Sequence, residues 1–332
     1  MQIPAAMSGF LVAHGHLDQH GALQQTSLAA ARQADDRAGQ AGALVELGLL
    51  AWLTGDHPAA VTSVARALAL YRDIGDLPGQ ANALNQLGIA QKLSGDYQAA
   101  AASHQQALAL ARTISDRLAE AEALNNLGRV QQLAGDYSAS TSSQQQSLAL
   151  FREIGDRLGQ AVALNDLGVV QEETGNYPGA AASQEEALTL FCDLGNRFGQ
   201  ANALNELGLV QQRTGDYQAA AASHQQALEL HRDLGIWRGQ AEALNSLGEL
   251  SSRTSDTQQA RERHARALAI ARDIGVPLEE ARALEGIGHS YLQDGNIQGG
   301  NAHLTQALTI YQRIGAPAAR RVQETLLLQY GP

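Results

Sequence analysis

The chain has 332 residues, of which 44% are apolar and 4% aromatic, and its formal net charge is -11 at pH 7. Proteins that bind nucleic acid usually present a basic face that neutralises phosphates, so this acidic balance argues against direct nucleic-acid binding. No stretch approaches the roughly 18 consecutive apolar residues of a membrane span, and the opening MQIPAAMSGF lacks a signal-peptide pattern. The one cysteine, Cys192, cannot form an internal disulfide, which suits a reducing compartment. We therefore expect a cytoplasmic protein that has no membrane partner.

A 40-residue repeat organises the sequence. The segment GQANALNQLGIAQKLSGDY, from Gly79 to Tyr97, returns as GQANALNELGLVQQRTGDY from Gly199 to Tyr217, three periods later. One phase of the repeat holds glycine throughout, at Gly48, Gly88, Gly128, Gly168, Gly208, Gly248 and Gly288. Self-similarity at a fixed period of this length indicates a stacked array of identical units.

A recurring turn motif divides each 40-residue unit in half. Gly followed by Asp or Asn falls on a 20-residue grid, with glycines at 75, 95, 135, 155, 175, 195 and 215. Glycine closes a helix in the left-handed conformation, and the next Asp or Asn caps the following helix. Each unit is therefore predicted to be two helices of about 18 residues, each near 27 Å long. In one unit we predict a first helix over Leu77–Ser94 and a second over Tyr97–Ile114.

The array predicts a single domain over 1–332. Residues 1–38 fit the grid poorly, with Gly15 where the mid-unit turn belongs, so we expect a degenerate first repeat that begins inside a helix and a chain that is a piece of something longer. Residues 39–315 form the regular repeats. Residues 316–330 are predicted to form a lone capping helix, and its outer face is predicted to carry Arg320, Arg321, Gln323 and Glu324.

The spacing of residues around Gly88 resembles the tetratricopeptide repeat. Leu84 lies four residues before this glycine and Leu87 one before, while Ala100 and Ala107 lie twelve and nineteen after. This pattern recurs in register over about 40–315. The resemblance implies an all-α fold, a right-handed superhelix (an α-α solenoid) of about eight helical hairpins plus a C-terminal capping helix.

Two departures from the usual pattern of the family point to one of its subgroups. The period is 40 residues rather than about 34, and Leu84 and Gln91 stand where the family has aromatic residues. Both features are similar to the long-repeat subgroup found in kinesin light chains, Leu-Gly-Asn-rich adaptors, and the C-terminal halves of actinobacterial signalling ATPases and antibiotic regulators. This subgroup implies that an ATPase or DNA-binding portion could accompany the array. HEAT repeats share the period but not the Gly and Ala spacing.

A helical wheel separates two faces of each first helix. Leu84, Leu87 and Gly88 share one side, whereas the positions of Asn85 and Lys92 lie about 110° away and cannot form the inter-helix core. In the repeats that the chain resembles, this second face lines a concave groove that binds partner segments. The predicted groove residues are therefore Asn82, Asn85, Ile89, Lys92, Asn125, Arg129, Gln132, Asn165, Val169, Asn202, Asn205, Leu209, Gln212, Asn245 and Glu249.

The recurring asparagines allow two interpretations. A primary amide offers both a donor and an acceptor, so a ladder of amides can hold a peptide backbone without reading its sequence. Alternatively, the amides bond to neighbouring repeats, and their recurrence reflects descent from one copied unit. The clamp of several lysines with which some members of the family bind phosphate or carboxylate groups is absent from this sequence, and only Lys92 and Arg129 are candidates for such a role.

The sequence offers little chemistry for catalysis or metal binding. His104 and His224 occupy equivalent SHQQAL contexts 120 residues apart, which indicates packing rather than ligation of one metal. No phosphate loop, HExxH motif or nucleophile elbow is present, so we expect no cofactor, no metal and no enzyme. An enzyme would require Asp166, Glu206 and Arg129 to converge on one pocket. Trp52 and Trp237 are predicted to pack rather than to contact a partner. Of the two, Trp52 is the better candidate for a partner contact in the groove.

These observations lead to two hypotheses on function. The first is a non-catalytic scaffold that binds a protein or peptide segment in the groove, as a sensor or partner-docking module of a bacterial regulatory system. The second is a self-association module in which the groove is unused and the ends or the convex surface pack against other copies.

Overall fold

A computed structural model describes residues 17–329, and this part of the chain consists of helices and short turns without a strand. The helices are α1 Leu17–Gln33, α2 Arg37–Leu53, α3 His57–Asp73, α4 Leu77–Leu93, α5 Tyr97–Thr113, α6 Arg117–Leu133, α7 Tyr137–Ile154, α8 Arg157–Glu173, α9 Tyr177–Asp193, α10 Arg197–Thr214, α11 Tyr217–Asp233, α12 Trp237–Arg253, α13 Thr257–Asp273, α14 Pro277–Gln293, α15 Ile297–Ile314 and α16 Ala318–Gln329. The all-α prediction is confirmed, and α4 and α5 each end one residue earlier than predicted. None of these helices is long and apolar enough to cross a membrane.

The predicted turn chemistry is present between the helices. Gly75 has φ +70°, and the side chain of Asp76 accepts a hydrogen bond from the backbone N–H of Gly79 at 3.0 Å, which caps α4. Two equivalent turns hold serine instead of glycine, and Ser115 and Ser255 adopt φ of 59° and 63°. Because a side chain in the left-handed region is strained, these two turns store a small conformational cost.

Each pair of helices packs through the small residues that the repeat predicts. Ala100 and Ala107 of α5 are buried, and a Cβ added to Gly88 of α4 would lie 2.6 Å from the ring of His104. The equivalent glycine Gly128 faces Gln144 in the same way. The glycine therefore makes room for one large side chain from the second helix of its own hairpin.

Contacts divide the chain into two units, and the division falls within α8. Unit 1 extends to Val170, and one of its hydrophobic clusters includes Leu84, Leu87 and Leu124. Unit 2 begins at Gln171, and one of its clusters includes Leu244 and Leu247. The single domain over 1–332 stays a prediction.

The last helix closes unit 2 as expected. Val322 and Leu326 of α16 are buried against Leu304 and Tyr311 of α15. Arg320, Arg321, Gln323 and Glu324 are exposed, as predicted for an outer face. At the other end, α1 occupies a second-helix position, and the predicted turn at Gly15 lies outside the described residues.

Candidate binding face

The first helices of successive hairpins lie side by side within each unit. In unit 1, α4 contacts both α2 and α6, and in unit 2, α12 contacts both α10 and α14. Every predicted groove residue lies on one of these helices or on α8. In each unit, we call the surface that carries these residues, together with their counterparts on α14 and α16 in unit 2, the first-helix face.

The asparagine ladder contacts other parts of the protein. Asn85, Asn125 and Asn245 are buried, whereas Asn165 and Asn205 are half-buried. His104 Nδ1 donates to Asn85 Oδ1 at 2.9 Å, and the Asn126 amide of the next repeat donates to the same oxygen at 3.1 Å. These bonds join the two helices of one hairpin and link that hairpin to the next.

Asn245 is a clear example of a ladder asparagine whose side chain bonds to other residues of the protein. Its side chain is 0% exposed, and its Oδ1 accepts from His264 Nδ1 at 3.0 Å. Its amide donates to the backbone oxygen of Glu279 at 3.1 Å and to the carboxylate of that residue at 2.9 Å. The structure therefore favours contacts between neighbouring repeats for the buried amides, while the ligand-binding role of the ladder stays a prediction.

The other predicted groove residues are more accessible. Asn82 and Arg129 are exposed, and the rest are half-buried: Ile89, Lys92, Gln132, Val169, Asn202, Leu209, Gln212 and Glu249. Their assignment to a binding surface stays a prediction. Trp237 and Trp52 are 57% and 37% exposed, so neither indole is buried, in contrast to the packing role that the sequence favoured for both.

A charged cluster lies on the first-helix face of unit 1. The Nε atom of Arg129 is 3.8 Å from the Asp166 carboxylate, which also accepts from the Asn125 amide at 3.0 Å. Lys92, the single lysine of the chain, interacts electrostatically with both charges but has no hydrogen bond or ion pair with a described residue. Arg129 and Asp166, two of the three residues that an enzyme would need, thus come together, while Glu206 belongs to unit 2.

Burial shifts the proton affinities in this cluster. Burial lowers the pKa of Lys92 to about 8, aided by the charge of Arg129 and opposed by that of Asp166. Burial also raises the pKa of the Asp166 carboxyl, against the opposing effects of Arg129, Lys92 and a hydrogen bond with Asn165. A half-buried ammonium beside a second cation favours an anion as a neighbour.

Unit 2 contains a cavity of about 380 Å³ on its first-helix face. The helices α12, α14 and α16 supply most of its lining, and α13 supplies His264. The lining residues are Glu249, Ser252, Arg253, His264, Arg282, Glu285, Gly286, His289, Gln293, Arg321 and Thr325.

Most of the charges in this cavity are paired. Arg282 bonds to Glu249 at 2.9 Å and to Glu279 at 3.2 Å, and these carboxylates raise its pKa although burial alone would lower it. Glu285 accepts from Arg321 at 2.8 Å and from the Tyr311 hydroxyl at 2.9 Å. Burial would raise the pKa of Glu285, but hydrogen bonds from His289 and Tyr311 and the charge of Arg321 hold it below its usual range.

The predicted packing role of the repeated histidines is confirmed. His104 and His224 are 0% exposed, and each Nδ1 bonds to an asparagine of the preceding helix. Burial lowers the pKa of His104 to about 3 and that of His224 to about 4. Within the part of the chain that is described, no group of three or more His, Cys, Asp or Glu side chains could hold a metal ion.

Sequence reasoning missed Arg253, Arg282, Glu285 and Arg321. Arg282 and Glu285 occupy the repeat positions of Asn82 and Asn85, so extending the period by one more unit would have found them. Arg253 directly follows Ser252, which holds the repeat position of Lys92, and nothing in the repeat pattern pointed to Arg253 itself. Arg321 lies on the terminal helix, where an outer face was predicted but no groove.

The comparisons with known proteins establish the family. The model of the tetratricopeptide repeat matches residues 39–113, 79–153, 119–193 and 199–273. Because these segments cover more than half of the chain, the protein belongs to the tetratricopeptide repeat family. No curated protein gives a significant sequence match.

Several solved structures share the fold. BtubC from P. vanneervenii is 23% identical, with a TM-score of 0.56 over 65% of this chain and 91% of its own. A Rap protein complexed with competence and sporulation factor is 13% identical, with a TM-score of 0.67 over 99% of this chain and 97% of its own. A signal transduction ATPase with a tetratricopeptide repeat sensor, from Pyrococcus horikoshii, is 16% identical, with a TM-score of 0.68 over 92% of this chain and 45% of its own. At these identities the likeness shows the fold.

Proposed function

We propose that the protein is a non-catalytic binding module that holds a segment of a partner protein on its first-helix face, as a sensor or docking module of a bacterial regulatory or signalling system. The observation that carries this proposal is the half-buried Lys92 ammonium, which the charge of Arg129 disfavours and which has no hydrogen bond or ion pair with a described residue. The Rap protein binds competence and sporulation factor, and the Pyrococcus horikoshii ATPase uses its repeats as a sensor. Both relatives support the same use of the fold here.

The energetics of Lys92 favour a bound partner. An ammonium whose pKa is lowered to about 8 is held in a site that disfavours its charge. A pKa shift of one unit corresponds to a free-energy difference of about 1.4 kcal/mol between the charged and neutral forms, and the partial exposure of the side chain reduces its effect on stability. A carboxylate from a partner would relieve the repulsion between Lys92 and Arg129. Ile89 and Val169, which are half-buried on the first-helix face, offer apolar contact to a partner segment.

Because Lys92 is the single lysine, it also provides a direct assay. A displayed library of random dodecapeptides is selected on the full-length protein, and each selected peptide is then tested for its ability to slow acetylation of Lys92, measured by peptide mapping. We expect protection of at least tenfold at saturating peptide, and weaker peptide binding in Lys92→Gln and Arg129→Gln. Arg66→Gln is the matched control, since Arg66 is exposed on the second helix α3.

Two results would overturn the proposal. One is a library that gives no peptide able to protect Lys92. The other is a set of peptides whose affinity is the same in the Lys92→Gln, Arg129→Gln and control proteins. Circular dichroism of each variant separates loss of binding from loss of fold.

A self-association module is the second candidate, because Leu327 and Leu328 of α16 are 64% and 81% exposed. Neighbouring exposed leucines favour contact with another apolar surface. Sedimentation velocity across a hundredfold concentration range distinguishes this function. A concentration-dependent oligomer that Leu327→Gln and Leu328→Gln abolish would support it, whereas a monomer at all concentrations would exclude it.

A further inference from the structure

We infer that the side-chain nitrogen of Lys92 is a site of reversible carbamate formation with carbon dioxide, and that the carbamate pairs with the guanidinium group of Arg129. The modification changes the charge of this side chain from positive to negative. The inference rests on the proposed function only for its effect on a partner, because the carbamate itself forms without one.

The Lys92 amine is available to a small electrophile. Its side chain is half-buried, and no hydrogen bond or ion pair joins the ammonium to a described residue. Because its pKa is lowered to about 8, about a tenth of the lysine is the neutral amine at pH 7, whereas the fraction in an ordinary lysine is below about one in a thousand. Only the neutral amine is nucleophilic, and burial beside a second cation is a known way to activate it.

Arg129 offers the hydrogen-bond donors that a carbamate needs. It lies on α6, the next first helix, and its side chain is 46% exposed. Its Nε atom is 3.8 Å from the Asp166 carboxylate, and the guanidinium makes no hydrogen bond with a described residue. A guanidinium has five N–H donors, and its planar edge matches two oxygens on one carbon. A carbamate presents that pair of oxygens.

Another repeat already holds an anion at the position of Lys92. Glu172 occupies this repeat position on α8, and its carboxylate lies 2.9 Å from Nε of Arg213 on α10. Ser252 occupies the same position on α12, and its Oγ lies 3.4 Å from Oγ of Ser290 on α14. Side chains at this position therefore reach the next first helix. A carbamate on Lys92 would reproduce the pairing of a carboxylate with an arginine.

The charges around Lys92 favour the modified form. The ammonium and Arg129 are two cations, and Asp166, which accepts from the Asn125 amide at 3.0 Å, is one anion. His104 lies within the field of both cations and is neutral at pH 7, because burial lowers its pKa to about 3. Burial raises the pKa of the Asp166 carboxyl, which can therefore take up a proton when a second anion forms beside it. The carbamate then leaves Arg129 with one anion instead of a second cation.

The reaction balances without an oxidant or a reductant. The lone pair of the amine nitrogen forms a bond to the carbon of CO2, and one C=O electron pair moves onto oxygen. The nitrogen then loses a proton to water, so that conversion of the ammonium consumes one CO2 and releases two protons. An uncharged acyl group would also remove the positive charge, but it would leave Arg129 without an anion. The arrangement thus favours carbon dioxide over an acyl donor.

The test uses full-length protein whose lysine carries ¹⁵N at the side-chain nitrogen. The protein is equilibrated with ¹³C-bicarbonate, and directly bonded ¹⁵N–¹³C pairs are detected by NMR. Because Lys92 is the single lysine, such a pair arises from this residue alone, and the unlabelled terminal amine gives no signal. We expect a carbamate fraction at least tenfold above that of N-acetyl-lysine amide under the same conditions.

Variants identify the groups responsible. Arg129→Gln should lower the carbamate fraction at least threefold, because it removes the counter-ion and the repulsion that favours the neutral amine. Asp166→Asn should raise the fraction at least twofold, because the Asp166 charge stabilises the ammonium and repels the carbamate. Arg66→Gln, on the second helix α3, is the matched control and should leave the fraction unchanged within a factor of 1.5. Loss of fold would lower the fraction in both Arg129→Gln and Asp166→Asn, and circular dichroism checks for it.

Three results would overturn the inference. They are the absence of a ¹⁵N–¹³C pair, a fraction no greater than that of N-acetyl-lysine amide, and equal fractions in Arg129→Gln and Arg66→Gln. The carbamate is measured without a peptide, so a failed peptide selection leaves this inference intact. A peptide that protects Lys92 should bind at least threefold more weakly in bicarbonate than in chloride of equal ionic strength and pH, and equal binding would contradict the effect on a partner.

Discussion

Replacing Asn245 with alanine should destabilise unit 2 far more than the equivalent replacement of Asn205. Asn245 is 0% exposed and makes three hydrogen bonds, to His264 at 3.0 Å and to Glu279 at 3.1 and 2.9 Å. Each bond contributes about 1 kcal/mol net, and the variant leaves buried partners unsatisfied, so we expect a loss of about 3–4 kcal/mol. Asn205 is half-buried and bonds to His224 at 3.0 Å, which predicts a loss of about 1 kcal/mol.

Native-state hydrogen exchange followed by mass spectrometry is the appropriate assay, because repeat arrays need not unfold in one step. A loss of about 3 kcal/mol corresponds to exchange about 100-fold faster in the peptides of α12 and α14. Asn202→Ala is the control, since Asn202 is half-buried on α10 and has no hydrogen bond with a described residue. If Asn245→Ala accelerated exchange by less than tenfold, or no more than Asn205→Ala, the structural role of the amide would be refuted.

Three further predictions follow from the same structure. Burial lowers the pKa of His264 to about 4, whereas the pKa in the unfolded chain is about 6.5. Between these two pH values only the unfolded chain binds a proton at His264. The free energy of unfolding therefore falls by up to about 1.4 kcal/mol for each unit by which the pH is lowered. His264→Gln, which places at 264 the residue found at Gln144, should reduce this slope in urea titrations followed by circular dichroism, and an unchanged slope would contradict the assignment. Ser115→Gly and Ser255→Gly should each stabilise the protein by about 0.5–1 kcal/mol, because they relieve left-handed serines; urea midpoints at or below that of the parent would contradict this. Acetylation of Lys92 should reach half its limiting rate near pH 8, and Asp166→Asn should lower that pH, whereas a midpoint like that of free lysine would show an unburied ammonium.

The sequence determined the repeat fold because its information is local and periodic. The turn at Gly75 and Asp76 needs only a left-handed residue and a cap, and both act within a few residues of the chain. The small residues Gly88 and Ala100 mark helix packing because any larger side chain would clash. Repetition of these signals in register predicts the helices and their order without reference to distant contacts.

The environment of the candidate binding face could not be predicted in the same way, because a helical wheel shows the direction of a side chain but not which residues lie opposite it. The period placed Asn85, Asn125 and Asn245 on one stripe, yet it could not show that histidines and neighbouring repeats already occupy those amides. Similarly, the cavity of unit 2 forms where Arg253, Gly286 and Arg321 meet from three different helices. The repeat pattern is therefore enough to predict the architecture. Which polar groups bond to one another within the protein depends on the distances between repeats, and those distances follow only from the three-dimensional packing.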